Sequence, residues 1–394
     1  MFVRVMEAAD SDWDDFVRAS PVPSLYNLSG WIRAMERAYK HKTYYLVCYE
    51  ESDAQVDPTM HSGDLNSTNY SGSHNIPNTA DRLQIQLSKQ YQISGILPLV
   101  HMKCLSFVNR FVSLPFSDYG GILSGSASCA KELMHEALNI SKSLKIKEIE
   151  LRHIEKLNFL NETVSGNIPE HCEFSTRTHK VRMILNLPKS SSDLYNSFKS
   201  KLKNDIRKPQ KEGVYVKVGG TELAQQFYAI FSRNMRDLGS PVHSKKLILA
   251  VLEEFGEAAR ILMVYKQNTP LACGLIVGAG KMMTNPWASS LRRYRSLSPN
   301  MMLYWKMLEY ACDQGFSIFD FGRSTPGEGT YRFKRQWGAR AYPLAWQYLT
   351  IGKESAPSQE TANPKFSIAA SLWKRLPVPM ANFCGPFIRK HISL

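Results

Sequence analysis

The chain has 394 residues, 43% of them hydrophobic, and a formal net charge of +14. That length accommodates two domains of ordinary size, and the apolar fraction excludes a disordered polymer. The positive surplus favours an anionic partner (phosphorylated substrate, nucleic acid or acidic lipid headgroups) over the alternative of a generally basic cytosolic enzyme.

The opening stretch MFVRVMEAADSDWDD lacks the basic-then-apolar order of a signal peptide. No run approaches the roughly 20 apolar residues of a membrane span. The expected location is cytoplasmic, or peripheral at the inner face of a membrane if a surface helix docks there. SGWIRAMERAYK predicts a helix near 29–40, followed by strands at 43–49 and 92–102. Between those strands, residues 51–90 are rich in Ser, Asn, Asp and Gly and read as a flexible insertion. Its histidines, His61 and His74, are isolated loop residues. FVSLPFSDYGGILS reads as strand and turn, SCAKELMHEALNISKSL as a helix near 128–144, and IKEIELRH as a strand at 146–153.

The second half repeats this order. A helix starts at Thr221 and stops at Gly239. ARILMVY, LACGLIVGAG and MMTNPWASSL are strands, and Pro299 and Asn300 open a helix that Gly315 ends. SIFDFGRS is the next strand and AYPLAWQYL the last. Both halves run helix, strands, helix, strand, so we expect an internal duplication: an α/β (α+β) fold of two units with mixed sheets and flanking helices. The units are placed at 1–175 and 176–352, with a basic, apolar tail at 353–394.

The seven cysteines form no CxxC pair, which argues against a disulfide framework and a structural zinc site. No metal site is expected. G-x-S-x-G, HExxH and Walker A patterns are absent, and no covalent nucleophile stands out. The positive signals are cationic. In LYNSFKSKLKNDIRKPQKEGV, Leu194, Phe198, Leu202 and Ile206 recur every four residues, and Lys199, Lys203, Arg207 and Lys211 follow one position later. On a helix these make an apolar stripe beside a cationic one, either an anion site or a solvated face, with a kink or break expected at Pro209. Arg292, Arg293 and Arg295 precede a helix N-terminus, which itself favours negative charge. GTYRFKRQWG, after a glycine-containing loop, is either a basic surface hairpin with Tyr331, Phe333 and Trp337 alternating inward, or a site for an anion. Arg323, Arg332, Lys334 and Arg335 then converge at one end of the second sheet.

FKSKLKNDIRKPQKEGV resembles the basic helix of the FemAB/FemX group. SPNMMLYWKMLEYACDQGFSIFDFG followed by GTYRFKRQWG resembles that group's C-terminal signature. FDFGRS and the tail SLWKRLPVPMANFCGPFIRKH are most similar to FemAB-related proteins of bacterial exosortase and PEP-CTERM exopolysaccharide systems. The resemblance covers most of 180–350 and implies two tandem GNAT-like domains. It further implies an acyl- or aminoacyltransferase acting on an amine or hydroxyl of a cell-envelope precursor. By this resemblance Lys334 stabilises negative charge at the reacting centre, and Lys203, Arg207 and Lys211 hold substrate phosphates. Asp118 and Tyr119 of SDYGG fall at the acceptor cleft, with Asp118 a candidate base. Arg292, Arg323, Tyr331 and Arg332 complete the expected substrate-binding set. No bound cofactor is expected. RRYRSLSPN has no glycine where a CoA pyrophosphate loop would lie, so the donor is open between aminoacyl-tRNA and acyl-CoA. The expected partners are that anionic donor and the envelope precursor, with tRNA as one form of donor and no DNA. A non-catalytic polyanion-binding module is the alternative. The tail, mixing Leu372, Trp373, Phe383 and Phe387 with Lys374, Arg375, Arg389 and Lys390, either touches an anionic membrane or packs on the second domain.

Overall fold

Two mixed sheets organise the chain in this computed structural model, which describes residues 1–21, 24–51, 91–104, 108–158, 172–352 and 364–393. Apart from Glu51, the insertion expected at 51–90, with its two histidines, lies outside the described residues.

The first unit opens with β1 (Phe2–Met6) and α1 (Ser11–Ala19), two elements not expected from the sequence. The Asp10 carboxylate caps α1 by accepting the Trp13 N–H at 3.0 Å. Then come α2 (Ser29–Tyr39), β2 (Lys42–Glu51), β3 (Tyr91–Cys104), β4 (Val108–Val112), β5 (Leu123–Ser124), α3 (Ala127–Leu144), β6 (Glu148–His153) and β7 (Cys172–Arg177). The second unit comprises β8 (Val181–Asn186), α4 (Ser191–Ser197), α5 (Ser200–Lys211), β9 (Val214–Gly219), α6 (Ala224–Leu238), α7 (Lys245–Phe255), β10 (Ala259–Lys266), β11 (Thr269–Ala279) and β12 (Met282–Ser290). It continues through α8 (Pro299–Asp313), β13 (Ile318–Ser324), α9 (Gly329–Gln336) and β14 (Arg340–Pro343). Strand β15 (Ala345–Ile351) and helices α10 (Pro364–Trp373) and α11 (Val378–Arg389) end the described chain.

The first sheet runs β1-β2-β3-β4-β6-β15-β7, with β5 beside β3, and the second runs β14-β8-β13-β12-β11-β10-β9. The duplication is visible in the pairing. Each sheet has one parallel pair among the described residues, β4 with β6 and β12 with β13. Each pair is linked through a helix, α3 or α8, as a parallel connection requires. Both pairings are short. Arg110–Val112 face Glu148–Glu150, and Met282–Thr284 face Ile318–Asp320.

Helices α3 and α8 cover the outer faces of the two sheets, α8 together with α4 and α5. Between the sheets, α1 and α2 of the first unit meet α6 and α7 of the second in one shared core. There Trp31 stacks on Trp287 at 5.5 Å, and Arg33 pairs with Glu254 at 2.8 Å.

Four expectations are corrected. AYPLAWQYL is not one strand: β14 pairs with β8 in the second sheet, whereas β15 crosses over and fits between β6 and β7 in the first. The stripe from Leu194 to Lys211 is not one helix. It breaks at Phe198, whose extended backbone drives its ring against Trp305 and Trp337, and α5 restarts at Ser200. Pro209 causes no break, because it sits in the last turn of α5. GTYRFKRQ is a helix, α9, and not a hairpin.

Candidate active site

The site forms where the SDYGG loop of the first unit lies against the end of β13 in the second. The loop is tied to its own sheet, since Gly120 and Gly121 donate their N–H groups to the Arg152 carbonyl at 3.0 and 2.7 Å. Asp118 then reaches across: its Oδ2 accepts the Arg323 N–H at 2.9 Å and its Oδ1 lies 3.4 Å from Arg323 Nε. Trp346 of β15 donates its indole N–H to the Asp118 carbonyl, and the Arg323 guanidinium lies 5.5 Å from the same indole.

Strand β13 is bulged between Asp320 and Arg323, with Gly322 at φ +74°. That left-handed backbone is cheap only for glycine. It turns the Gly322 and Arg323 carbonyls toward α9, where the Lys334 ammonium donates to them at 3.2 and 2.8 Å. Lys334 is 8% exposed. Burial pulls its ammonium down to about 8, with Asp118 and Asp320 acting to hold it up and Arg323 pushing it further down.

Beneath this lies a second polar set. Asp320 is fully buried and pairs with Arg182 at 3.1 Å, and it accepts the Tyr119 hydroxyl at 2.9 Å. The Arg182 guanidinium also lies 4.6 Å from the centre of the Tyr119 ring. Burial, with Asp320 next, raises Tyr119 well above the ordinary phenol value, so it stays a neutral donor. Arg182 Nε and Ser324 Oγ are buried and have no partner among the described residues. Lys180 donates to Thr325 Oγ1 at 2.7 Å beside them.

Among the sequence-predicted residues, Lys334, Asp118, Tyr119 and Arg323 are thus brought together. Tyr331 and Arg332 are on the same helix as Lys334, with Arg332 exposed and the Tyr331 hydroxyl accepting from Arg335 at 3.3 Å. Arg335 also borders a separate groove of about 840 Å³, lined by Lys199, Lys201, Phe198 and Trp337. Lys203 and Arg207 lie over the Tyr195 ring at 5.6 and 5.9 Å, and Lys211 is exposed at the far end of α5. Arg292 is exposed in a 3-10 turn (Arg292–Leu297) before α8, whose N-terminus no side chain caps. The sequence reading missed Arg182 and Lys180. Its available signal was a lone arginine inside the apolar strand VRMILN, which burial obliges to find a carboxylate.

Residues 196–335 match the model of an acetyltransferase (GNAT) domain. No curated protein matches the sequence. Among solved structures, FemX aligns with a TM-score of 0.63 at 13% identity, covering 89% of this chain and 98% of FemX. A conserved protein of unknown function from Bacteroides thetaiotaomicron aligns with a TM-score of 0.51 at 9% identity, covering 89% of this chain and all of that one, 100%. A tandem GNAT protein from the clavulanic acid biosynthesis pathway aligns with a TM-score of 0.48 at 10% identity, over 91% of this chain and 99% of its own. The second unit thus matches a GNAT acetyltransferase domain, and in fold the two units together align with FemX.

Proposed function

We propose that the chain is an acyl- or aminoacyltransferase of the FemAB type, acting on an amine or hydroxyl of a cell-envelope or exopolysaccharide precursor. The observation that carries this reading is the Lys334 ammonium, buried at the seam of the two units with a lowered pKa and carboxylates nearby. The acceptor amine attacks the acyl carbonyl, and the oxygen gains negative charge. Lys334 stabilises that oxyanion, an effect commonly worth about 3 kcal/mol of barrier. Asp118 takes the proton from the attacking nitrogen. Collapse of the intermediate releases the donor's ribose hydroxyl or thiol, which takes its proton from Lys334, an acid suited to neutral pH. No acyl-enzyme forms. The donor is an anionic carrier, aminoacyl-tRNA or acyl-CoA. Its phosphates fall to the exposed cations Arg292, Arg293 and Arg295 beside the uncapped N-terminus of α8, and to those of α5. Tyr119 supports the site through its hydrogen bond to Asp320.

The test is to incubate purified protein with aminoacyl-tRNAs and acyl-CoAs and with amine- and hydroxyl-bearing sugar acceptors, and to follow the acyl group by mass spectrometry. Lys334→Ala is expected to lower transfer by about 100-fold or more, with the circular dichroism spectrum unchanged. Full turnover by that variant would remove Lys334 from the chemistry. Polyanion binding with a steep salt dependence and no product with any donor would favour the binding-module alternative.

A further inference from the structure

Helix α11 is inverted relative to an ordinary surface helix. It buries Ala381, Gly385 and Arg389, spaced four apart, and exposes Met380, Phe383, Phe387 and Ile388. The buried face is anchored on the second unit. At Gly385 a side chain would meet the Val242 Cγ1 at 3.0 Å, and the Arg389 Nε faces His243 Nε2 at 3.3 Å. Arg236 of α6 donates to the Lys374 and Leu376 carbonyls, pinning the turn between α10 and α11. Past α11 the Ser393 carbonyl accepts from Arg152 at 2.9 Å and from the Phe116 N–H at 2.9 Å. The tail is therefore fixed in place, and its outward face is not a fraying end.

That outward face is apolar. Half of the twelve large hydrophobic side chains exposed among the described residues are on α10 and α11, Phe383 reaching 72% exposure. Ile368 and Leu372 of α10 extend the patch. A soluble helix buries its phenylalanines and exposes its arginine, and clustered exposed apolar groups mark an interaction surface. The charge within the segment has one sign. Residues 364–393 contain Lys365, Lys374, Arg375, Arg389 and Lys390 and no Asp or Glu. Lys374 and Arg375 are exposed beside the apolar face. An occupant must therefore be apolar at its centre and anionic around it. A second copy of this chain, net charge +14, would bring like cations together. No helix among the described residues is long and apolar enough to cross a membrane, so the arrangement suits lying on one.

We infer that α10 and α11 form a docking platform for an anionic lipid bilayer, with Phe383 and Phe387 entering the headgroup–acyl boundary and Lys374 and Arg375 meeting lipid phosphates. The inference stands on the tail and does not depend on the acyl-transfer reading. Its test is flotation of the full chain with phosphatidylcholine vesicles with and without phosphatidylglycerol. The protein is expected to float with the anionic vesicles and to bind the neutral ones on the order of tenfold more weakly. The double variant Phe383→Ser, Phe387→Ser is expected to lose flotation, and its thermal melt should match the native protein because both rings are exposed. Lys374→Gln with Arg375→Gln should weaken only the anionic arm, by on the order of tenfold. Absence of flotation with anionic vesicles, or unchanged flotation of the phenylalanine variant, would overturn the inference. A dimer in light scattering that the phenylalanine variant breaks, without flotation, would assign the face to a second copy instead.

Discussion

Lys334 keeps its proton to about pH 8 in the folded chain and to about 10.5 in an unfolded one. The unfolded state therefore binds more protons between these values, and stability rises with pH across that window. Burying the charged form is a penalty fully present below pH 8 and relieved as the amine deprotonates. Activity should run the other way, because neutral lysine neither stabilises an oxyanion nor donates a proton. We expect the rate of transfer to fall as pH rises through about 8, while thermal melts show no loss of stability over the same interval. In Lys334→Arg the alkaline limb should move upward, since a guanidinium keeps its proton. A rate flat to pH 10 in the native protein would contradict this. Lys334 was legible through the family signature. The physical state of its amine was not, because its burial comes from β13, the SDYGG loop and α9, which sequence order keeps far apart. Arg182 was harder still, since a single charged residue in a strand announces a partner without naming Asp320.

At the scale of elements, short segments were the hardest to read. Tyr331, Phe333 and Trp337 fit a strand period at 331/333 and a helix period at 333/337, and eight residues cannot separate the two. The helix prevails because Phe333 packs edge-on to Tyr304 at 4.9 Å while Trp337 is buried against Phe198. The break before α5 has the same origin, tertiary burial of Phe198 overriding an unbroken four-residue repeat. Longer elements with clear stops were legible: α8 ends where Gly315 takes φ +80°, and α6 where Gly239 takes φ +82°. The bulge in β13 joins element to site. In Gly322→Ala the new methyl would stand 3.2 Å from Asp118 Oδ2 on a backbone at φ +74°. The left-handed conformation costs about 1–2 kcal/mol for a residue with a Cβ, which a urea melt would register. The larger effect should be on rate. Displacing the two carbonyls that hold the Lys334 ammonium misplaces it, and misplacement near 1 Å can cost on the order of 100-fold. A variant destabilised as expected but with native turnover would separate the bulge from the chemistry.

For the whole molecule, the repeated order of helices and strands made the tandem arrangement legible, but the way the halves are joined was not. Strand β15 follows β14 directly in sequence, and no local property marks that β14 stays in the second sheet while β15 leaves for the first. There it fills the gap between two strands, pairing with β6 from Ala345–His153 onward and with β7 from Trp346–Arg177 onward. Among the described residues β7 has no other strand partner. The core between the sheets is likewise shared, with Trp31 against Trp287 and Tyr39 bonded to His243 at 2.9 Å. Unfolding the second unit alone would strip β7 of its partner, expose half of that core and leave Asp118 without Arg323. Each loss falls on the first unit, and a domain deprived of such burial cannot remain folded on the few kcal/mol that separate native from unfolded chains. We therefore expect urea unfolding to show one cooperative transition, with tryptophan fluorescence and far-ultraviolet circular dichroism coincident, where independent tandem domains would give two. Two resolved transitions, or a stable folded fragment ending before residue 178, would show that the first sheet does not need the strand it borrows.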